Sequence, residues 1–332
     1  MARSRLLIEE RTPKGPFTAM PKSDLEQNSR ATSPLKITAS VVLYNTPETQ
    51  LSRLLDCISN SSIAIETFLV DNSPQPRFHS FMRRPRVVYI PAESNRGYGA
   101  GHNLAMRQVL DKAAFHFVLN PDIYFTREEL EKMVWFMEEN LSVGHLMPKI
   151  VYPDGGLQHL CKLIPTPADL FLRRFAFGPL KKVARHRTER YELRQTNYDK
   201  VMDVPSLSGC FMLFRIAALH SIGLFDERFF MYLEDVDISR RMHTYFRTVF
   251  YPGAIVSHDH ARESYKSREA LWVHMRNSIR YFNKWGWIHD PLRSRINRET
   301  LLRVQCNQER DKGTTKSALT DHLCESQSHL GN

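Results

Sequence analysis

Between Lys36 and Glu139, short β-rich apolar runs alternate with helical patterns, and this alternation limits the fold more than any other feature of the chain. Thr38–Tyr44 reads as a buried strand, and Thr46-Pro47-Glu48 opens a helix carried by Leu51, Leu54, Leu55 and Ile58. Glu66–Val70 and Val87–Ile90 are the second and third strands. A helix from Gly101 to Lys112 leads to a fourth strand, Phe115–Leu119, and Thr126 caps a helix that runs through Glu139. Strands alternating with helices predict a parallel, doubly wound sheet, in which ligands bind beyond the carboxyl ends of the strands. Tyr44-Asn45, Asp71-Asn72 and Asn120-Pro121-Asp122 each stand at such an end. Polar residues that recur there mark a site.

The rest of the chain changes character by segment. Residues 1–35 are polar and dotted with proline, and read as a disordered extension. Leu157–Lys200 is basic, with Arg173, Arg174, Lys181, Lys182, Arg185, Arg187, Arg190 and Arg194 interleaved with phenylalanine. A strand resumes at Gly209–Phe214, and Thr248–Tyr251 and Ala254–Val256 read as two closing strands. Arg268–Trp287 is a basic, aromatic helix with Leu271, Met275, Ile279 and Phe282 at helical spacing. The expected organisation is a catalytic domain over 36–262, an amphipathic helical region over 263–292 and a polar, mobile tail over 293–332.

The excess of 46 Lys+Arg over 36 Asp+Glu gives a net charge of +10, which suits an anionic partner: nucleic acid, a phosphorylated small molecule or a membrane face. The five cysteines are scattered, odd in number and form no C-x-x-C pair, which fits a reducing compartment. No run approaches the roughly 20 apolar residues of a spanning helix, and no signal-peptide core opens the chain. The expected location is cytoplasmic, with peripheral contact at the cytoplasmic face of the inner membrane.

Two motifs carry chemistry. Asn95–Asn103 is glycine-rich and precedes a helix, where backbone can approach a ligand and a helix N-terminus attracts phosphate. Its glycines do not fit the dinucleotide fingerprint, since His102 stands where the third glycine belongs. Phe230–Asp237 places Glu234, Asp235 and Asp237 within four residues. Clustered acids repel, so a fold keeps them together where a metal, a proton or a hydroxyl needs them. The plain alternative is an acidic first helical turn facing the macrodipole.

Taken together, Ser40–Asn45, Val70–Ser73, Asn95–Asn103, Leu119–Asp122, Gly209–Phe211, Gly223–Glu227 and Phe230–Asp237 resemble, in order, the motifs of family 2 of the glycosyltransferases. The resemblance is strongest to bacterial rhamnosyltransferase-like members that build O-antigens, capsules and other cell-surface glycans, and covers about residues 37 to 290. It implies an α/β GT-A (nucleotide-diphospho-sugar transferase) fold with a mostly parallel, doubly wound sheet flanked by helices, and inverting transfer from a nucleotide-sugar to an acceptor hydroxyl. By the same resemblance Asp71 contacts the donor's base or ribose, Tyr44 and Asn45 line that pocket, and Asn95, Gly97 and Asn103 shape its floor. Asp122 takes the last place of the family's D-x-D metal motif, with Asn120 where the first acid usually stands. One carboxylate in place of two lowers the expected metal affinity. His258 matches a late histidine that helps hold metal or diphosphate, and His260 would share its strand face.

Mg²⁺ or Mn²⁺ would neutralise the departing nucleoside diphosphate, and both accept such oxygen ligands. Asp235 is the expected catalytic base, with Glu234 second; Asp237 and Gly209 are expected on the acceptor side. dTDP-rhamnose is the favoured donor, with UDP-sugars next, and the acceptor is a saccharide or lipid-linked saccharide. The basic segment and the Arg268–Trp287 helix are expected at an anionic membrane. Two other classes stay open. A sugar-nucleotide nucleotidyltransferase would carry a glycine-rich, lysine-bearing loop where this chain has Tyr44-Asn45-Thr46-Pro47. A non-catalytic glycan- or nucleic-acid-binding module is suggested only by the charge, and acids at strand ends argue against nucleic acid.

Overall fold

The computed structural model describes residues 36–175, 178, 180–259 and 268–311. The expectations for residues 1–35, for His260 and for the chain beyond residue 311 lie outside them. Among the described residues nine strands form one sheet: β1 (Ile37–Leu43), β2 (Ile65–Asp71), β3 (Val87–Pro91), β4 (Phe115–Leu119), β5 (Ile123–Tyr124), β6 (Val143–Val151), β7 (Met202–Asp203), β8 (Phe211–Arg215) and β9 (Arg247–His258). The helices are α1 (Glu48–Ser59), α2 (Tyr98–Val109), α3 (Glu129–Glu139), α4 (Pro167–Phe175), α5 (Leu180–Tyr191), α6 (Ile216–Ile222), α7 (Glu234–Tyr245), α8 (Arg268–Trp285) and α9 (Pro291–Asp311).

The strand order is β3-β2-β1-β4-β8-β6-β9-β5, with β7 on β9. The first four strands are parallel, as the βα alternation requires. β1 lies inside this block with both faces covered, so nearly every residue of it is buried. α1 buries Leu51, Leu54, Leu55 and Ile58, one stripe of an amphipathic helix. They join Val41, Leu43, Phe117 and α3's Leu130 and Met133 in the core on one face of the sheet. On the other face, Ala105 and Met106 of α2 and Ile238 and Met242 of α7 meet Val70 and Met212.

β8 then enters antiparallel between β4 and β6, which brings Gly209-Cys210 to the edge where β4 ends; the Asn120 N–H donates to the Cys210 carbonyl at 3.0 Å. β5 pairs antiparallel with the end of β9, setting Ile123 opposite His258. Sheet reversal thus delivers late segments of the chain to the carboxyl edge of its early strands.

Several boundaries differ from the sequence expectation. β9 is one strand rather than two, with a bulge between the Pro148–Tyr251 and Lys149–Ile255 pairs. α2 begins three residues earlier than expected, because Gly97 turns the chain at φ 102° and a Cβ there would lie 1.9 Å from the Phe230 carbonyl oxygen. The Thr126 hydroxyl donates to the Glu129 carboxylate at 3.2 Å, and no side chain caps α3. The polar stretch after Asp290, expected to be a mobile tail, holds α9 through residue 311. Asn297 explains part of that: its amide satisfies both the N–H and the carbonyl of Ile164, each at 2.8 Å.

Candidate active site

A cavity of about 350 Å³ opens at the carboxyl edge of the parallel strands, lined among others by Asn120, Gln158, Gly209, Glu234, Asp235 and His258. Its first wall is built by β4, β5 and β9. Asn120 follows β4, and the Asp259 N–H donates to the Asp122 carbonyl at 2.9 Å, tying the two strand ends together. His258 Nε2 then lies 3.4 Å from Asp122 Oδ1 and 3.5 Å from the Asn120 amide nitrogen. The other ring nitrogen, Nδ1, is 3.0 Å from the Gln158 side-chain oxygen, while the Gln158 amide donates to the His258 carbonyl at 2.8 Å. Gln158 therefore fixes the ring and turns Nε2 toward Asp122. Burial opposes protonation of His258, but the neighbouring Cys210 and Asp122 prevail and push its pKa up to about 10, so a cation binding at Nε2 would have to displace a proton.

A second wall is the start of α7. Tyr232 and Leu233 precede it at φ 71° and 69°, both left-handed and neither glycine. Such residues cost roughly 1–3 kcal/mol each and persist where surrounding structure imposes them. The result is that Glu234 and Asp235 enter the first turn facing the cavity. Asp235 Oδ2 accepts the Gly209 N–H at 3.1 Å and Oδ1 accepts the Val236 N–H at 2.8 Å. Glu234 is buried, and its Oε2 has no hydrogen-bond partner. Burial, then the charge of Asp235, raises the Glu234 pKa well above the usual carboxylate range. Glu234 is thus held toward its neutral form beside a second carboxyl, an arrangement found in sites that divide acid and base work.

Tyr98 joins the two walls. Its hydroxyl donates to the Gly209 carbonyl at 2.5 Å, and its ring lies edge-on to His102 with centroids 4.4 Å apart. His102 is held by Ser40 at 2.7 Å, so the chain of contacts runs from β1 to the Asp235 carboxylate. Burial raises the Tyr98 phenol well above its ordinary range, with Cys210, Glu234, Asp235 and Asp122 adding to it. Those groups surround one ring.

Other candidates are placed differently. Asp237 is fully buried and tied to Arg241 at 2.9 Å, Lys284 at 2.7 Å and the Trp285 indole at 2.8 Å. It clamps α7 to α8 and cannot meet an acceptor. On a helix, residues two apart point about 200° from one another, so Asp235 and Asp237 could not share a wall. Asp71 is fully buried, its carboxylate accepting the Ser73 N–H at 3.0 Å and the Tyr89 hydroxyl at 2.7 Å. It shapes the Asp71–Arg77 turn instead of opening to a ligand.

Asn103 is likewise occupied: it bonds the Phe225 carbonyl at 2.9 Å and N–H at 3.1 Å, and so holds the Phe225–Glu227 turn rather than a pocket floor. Asn95 accepts the Gly97 N–H at 3.0 Å and shapes the loop before α2. Tyr44 and Asn45 are exposed at the end of β1, outside the cavity, with Asn45 at φ 51°. Sequence reasoning gave no role to Gln158, Lys162, Tyr98 or His274, all of which line the cavity. For the first two a signal existed: Gln158, Leu160 and Lys162 alternate along an extended segment, as residues on one face of a strand do.

The first wall also bears on a divalent cation. Asp122 Oδ1 is buried without a hydrogen-bond partner and faces His258 Nε2, a carboxylate and imidazole pair of the type that Mn²⁺ accepts. Among the described residues no group of three or more His, Cys, Asp or Glu is assembled, so the protein supplies few ligands. The pair fits a cation whose remaining ligands come from phosphate oxygens and water.

The model of the family described as "Glycosyl transferase family 2" matches residues 38–223, more than half of the chain. An N-acetylglucosaminyl-diphospho-decaprenol L-rhamnosyltransferase of Mycobacterium tuberculosis is 26% identical over 285 residues, which are 79% of this chain and 90% of that protein. Among solved structures, the mannosyltransferase PcManGT of Pyrobaculum calidifontis, in complex with GDP-Man and Mn²⁺, aligns with a TM-score of 0.51 at 15% identity, covering 90% of this chain and 81% of that one. GalNAc-T7 with UDP, GalNAc and Mn²⁺ aligns at 0.55 and 14% identity, over 77% of this chain and 49% of that one, so the chain spans about half the length of that protein. The folds are alike, the sheet is the mixed but mostly parallel one of the GT-A class, and the chain belongs to glycosyltransferase family 2.

Proposed function

We propose that this glycosyltransferase moves a sugar, with inversion, from a nucleotide-diphosphate donor to a hydroxyl of a saccharide carried on a lipid diphosphate, in cell-surface glycan assembly. dTDP-rhamnose is the favoured donor and UDP-hexoses come next. One observation carries the reading: a single cavity is lined by Asn120, His258, Glu234 and Asp235 together. The M. tuberculosis relative, named for rhamnosyl transfer to a diphospho-decaprenol acceptor, supports the donor and acceptor classes.

In this mechanism the acceptor oxygen attacks the anomeric carbon while the bond from that carbon to the diphosphate oxygen breaks. Asp235 takes the proton from the attacking hydroxyl; its two backbone N–H partners hold the carboxylate in place. A positioned base of this kind contributes about 10²–10⁴-fold. Glu234, held toward its neutral form, donates a hydrogen bond to a substrate oxygen and orients it. Asp122 and His258 would hold Mg²⁺ or Mn²⁺, which when bound supplies positive charge against the departing diphosphate. Gln158 keeps His258 turned to that task.

The test is a panel of nucleotide-sugars with the wild-type chain and Asp235→Asn. The expected product is nucleoside diphosphate, formed with dTDP-rhamnose more readily than with UDP-sugars. Asp235→Asn should lower turnover about 10²–10⁴-fold and leave donor affinity unchanged. Release of pyrophosphate, or wild-type turnover by the variant, would remove this mechanism.

A further inference from the structure

α8 carries two apolar stripes, and the fold uses only one. Tyr281 and Phe282 are buried in a small core with Phe229, Leu233 and Val236, beneath the cavity wall. Trp272, Met275 and Ile279 point elsewhere, 72%, 42% and 48% exposed. At 3.6 residues per turn these three fall within an arc of about 60° on the helix surface. Leu271, Met275, Ile279 and Phe282, which read as one stripe in sequence, therefore divide between interior and solvent. Just past the helix, Ile288 is 93% exposed.

Basic residues flank the unused stripe. Arg268 and Arg276 are exposed and have no carboxylate partner among the described residues. Arg280 reaches the Arg228 carbonyl, and burial together with the charges of Arg276 and Arg228 lowers its pKa, the mark of crowded positive charge. The stretch from Arg173 to Arg194 is a weaker candidate for anion binding, since Arg185, Arg187 and Arg194 already pair with Glu189, Asp169 and Glu192. Position matters as well. On another flank of α8, His274 lines the transfer cavity and its ring lies 5.5 Å from that of Tyr232.

We propose that the Trp272–Met275–Ile279 face of α8, with Arg268, Arg276 and Arg280 around it, docks on an anionic lipid bilayer beside the transfer cavity. An indole and two aliphatic side chains bordered by guanidiniums suit the boundary between headgroups and acyl chains. Each arginine adds attraction to anionic headgroups. Three side chains are too few to supply the roughly 800 Å² per partner of a stable protein interface. Among the described residues no helix is long and apolar enough to cross a membrane, so this contact lies on the surface of the bilayer. The docking face stands on these residues alone; its purpose, bringing the cavity to an acceptor held in the membrane, rests on the lipid-linked acceptor proposed above.

Flotation of the full chain with vesicles of phosphatidylcholine, alone or mixed with phosphatidylglycerol, tests the face. The wild-type chain should float with the mixed vesicles and not with phosphatidylcholine alone. The double variant Trp272→Ser, Ile279→Ser should bind at least about tenfold more weakly, and Arg276→Gln should show a shallower salt dependence. Turnover of a water-soluble acceptor should be unchanged in these variants, which shows that they are folded. Failure of the wild-type chain to float at low salt, or flotation of the double variant like wild type, overturns the proposal. Intact flotation with no transfer to a lipid-diphosphate acceptor would leave the docking face standing and remove the acceptor reading instead.

Discussion

Gly209 takes one bond on each side: its carbonyl accepts the Tyr98 hydroxyl and its N–H donates to Asp235. A side chain would crowd this joint, since an added Cβ would lie 3.3 Å from that of Asp235 and 3.5 Å from the Tyr98 ring. In the proposed mechanism Tyr98 is thus a positioning residue, acting on Asp235 through a backbone segment. We predict that Tyr98→Phe lowers kcat roughly 3- to 10-fold, the equivalent of one ordinary hydrogen bond, without changing donor affinity. Steady-state kinetics with donor binding measured separately checks this, and an unchanged kcat would reduce Tyr98 to a wall residue. Asp235 was legible because acids cluster in its motif. Tyr98 was not: only folding brings it to a glycine 111 residues further along the chain.

Among the elements, α7 and α9 depend on one ion pair. Arg240 of α7 donates two 2.7 Å bonds to Asp290, whose carboxylate also accepts the Arg293 N–H at the start of α9 at 2.9 Å. The side chains are 2% and 3% exposed, and the Arg240 guanidinium also lies 4.1 Å from the Trp285 ring centre. Removing one partner of such a pair strands the other charge, at a cost of about 3–5 kcal/mol. Asp290→Ala should lose about that much in urea unfolding; a loss within the range of a surface substitution would refute the argument. α9 was illegible because its polar sequence lacks a strong apolar stripe; it is held by the burial of Ile296 and by the specific bonds of Asp290, Arg293 and Asn297. β6 was missed for another reason: Gly144, His145 and Pro148 interrupt its apolar run, and Pro148 is accommodated at the bulge opposite β9.

Across the whole molecule, buried histidines couple stability to pH. His116 and His145 are fully buried, and burial lowers each pKa to about 3; His243 is lowered to about 4. In the unfolded chain these groups titrate near 6.5, so between that value and their folded pKa values the unfolded state binds more protons. Their neutral burial therefore costs nothing above about pH 6.5, and stability falls as pH drops from there toward 3–4, by up to about 1.4 kcal/mol per pH unit for each group. His145 allows a clean test, because neither ring nitrogen has a hydrogen-bond partner and its ring stacks on Phe214 at 4.6 Å. His145→Phe should hold stability near neutral pH and make the loss between pH 6.5 and 4 shallower. Urea midpoints across that range measure it, and parallel curves for variant and wild type would rule it out.

The layered βα order, the strand ends where polar residues gather and the family can all be read along the chain, because they follow from periodicity and from motifs a few residues long. Which of those residues face the cavity was settled by folding. It turned Asp235 inward and locked Asp237 under α8, sealed Asp71 and Asn103 into loop supports, and brought Gln158 across 100 residues to steer His258. The physical reason is that local pattern reports a residue's neighbours along the chain. The walls of this site come from strands that the antiparallel insertion of β8 and the pairing of β5 with β9 bring together.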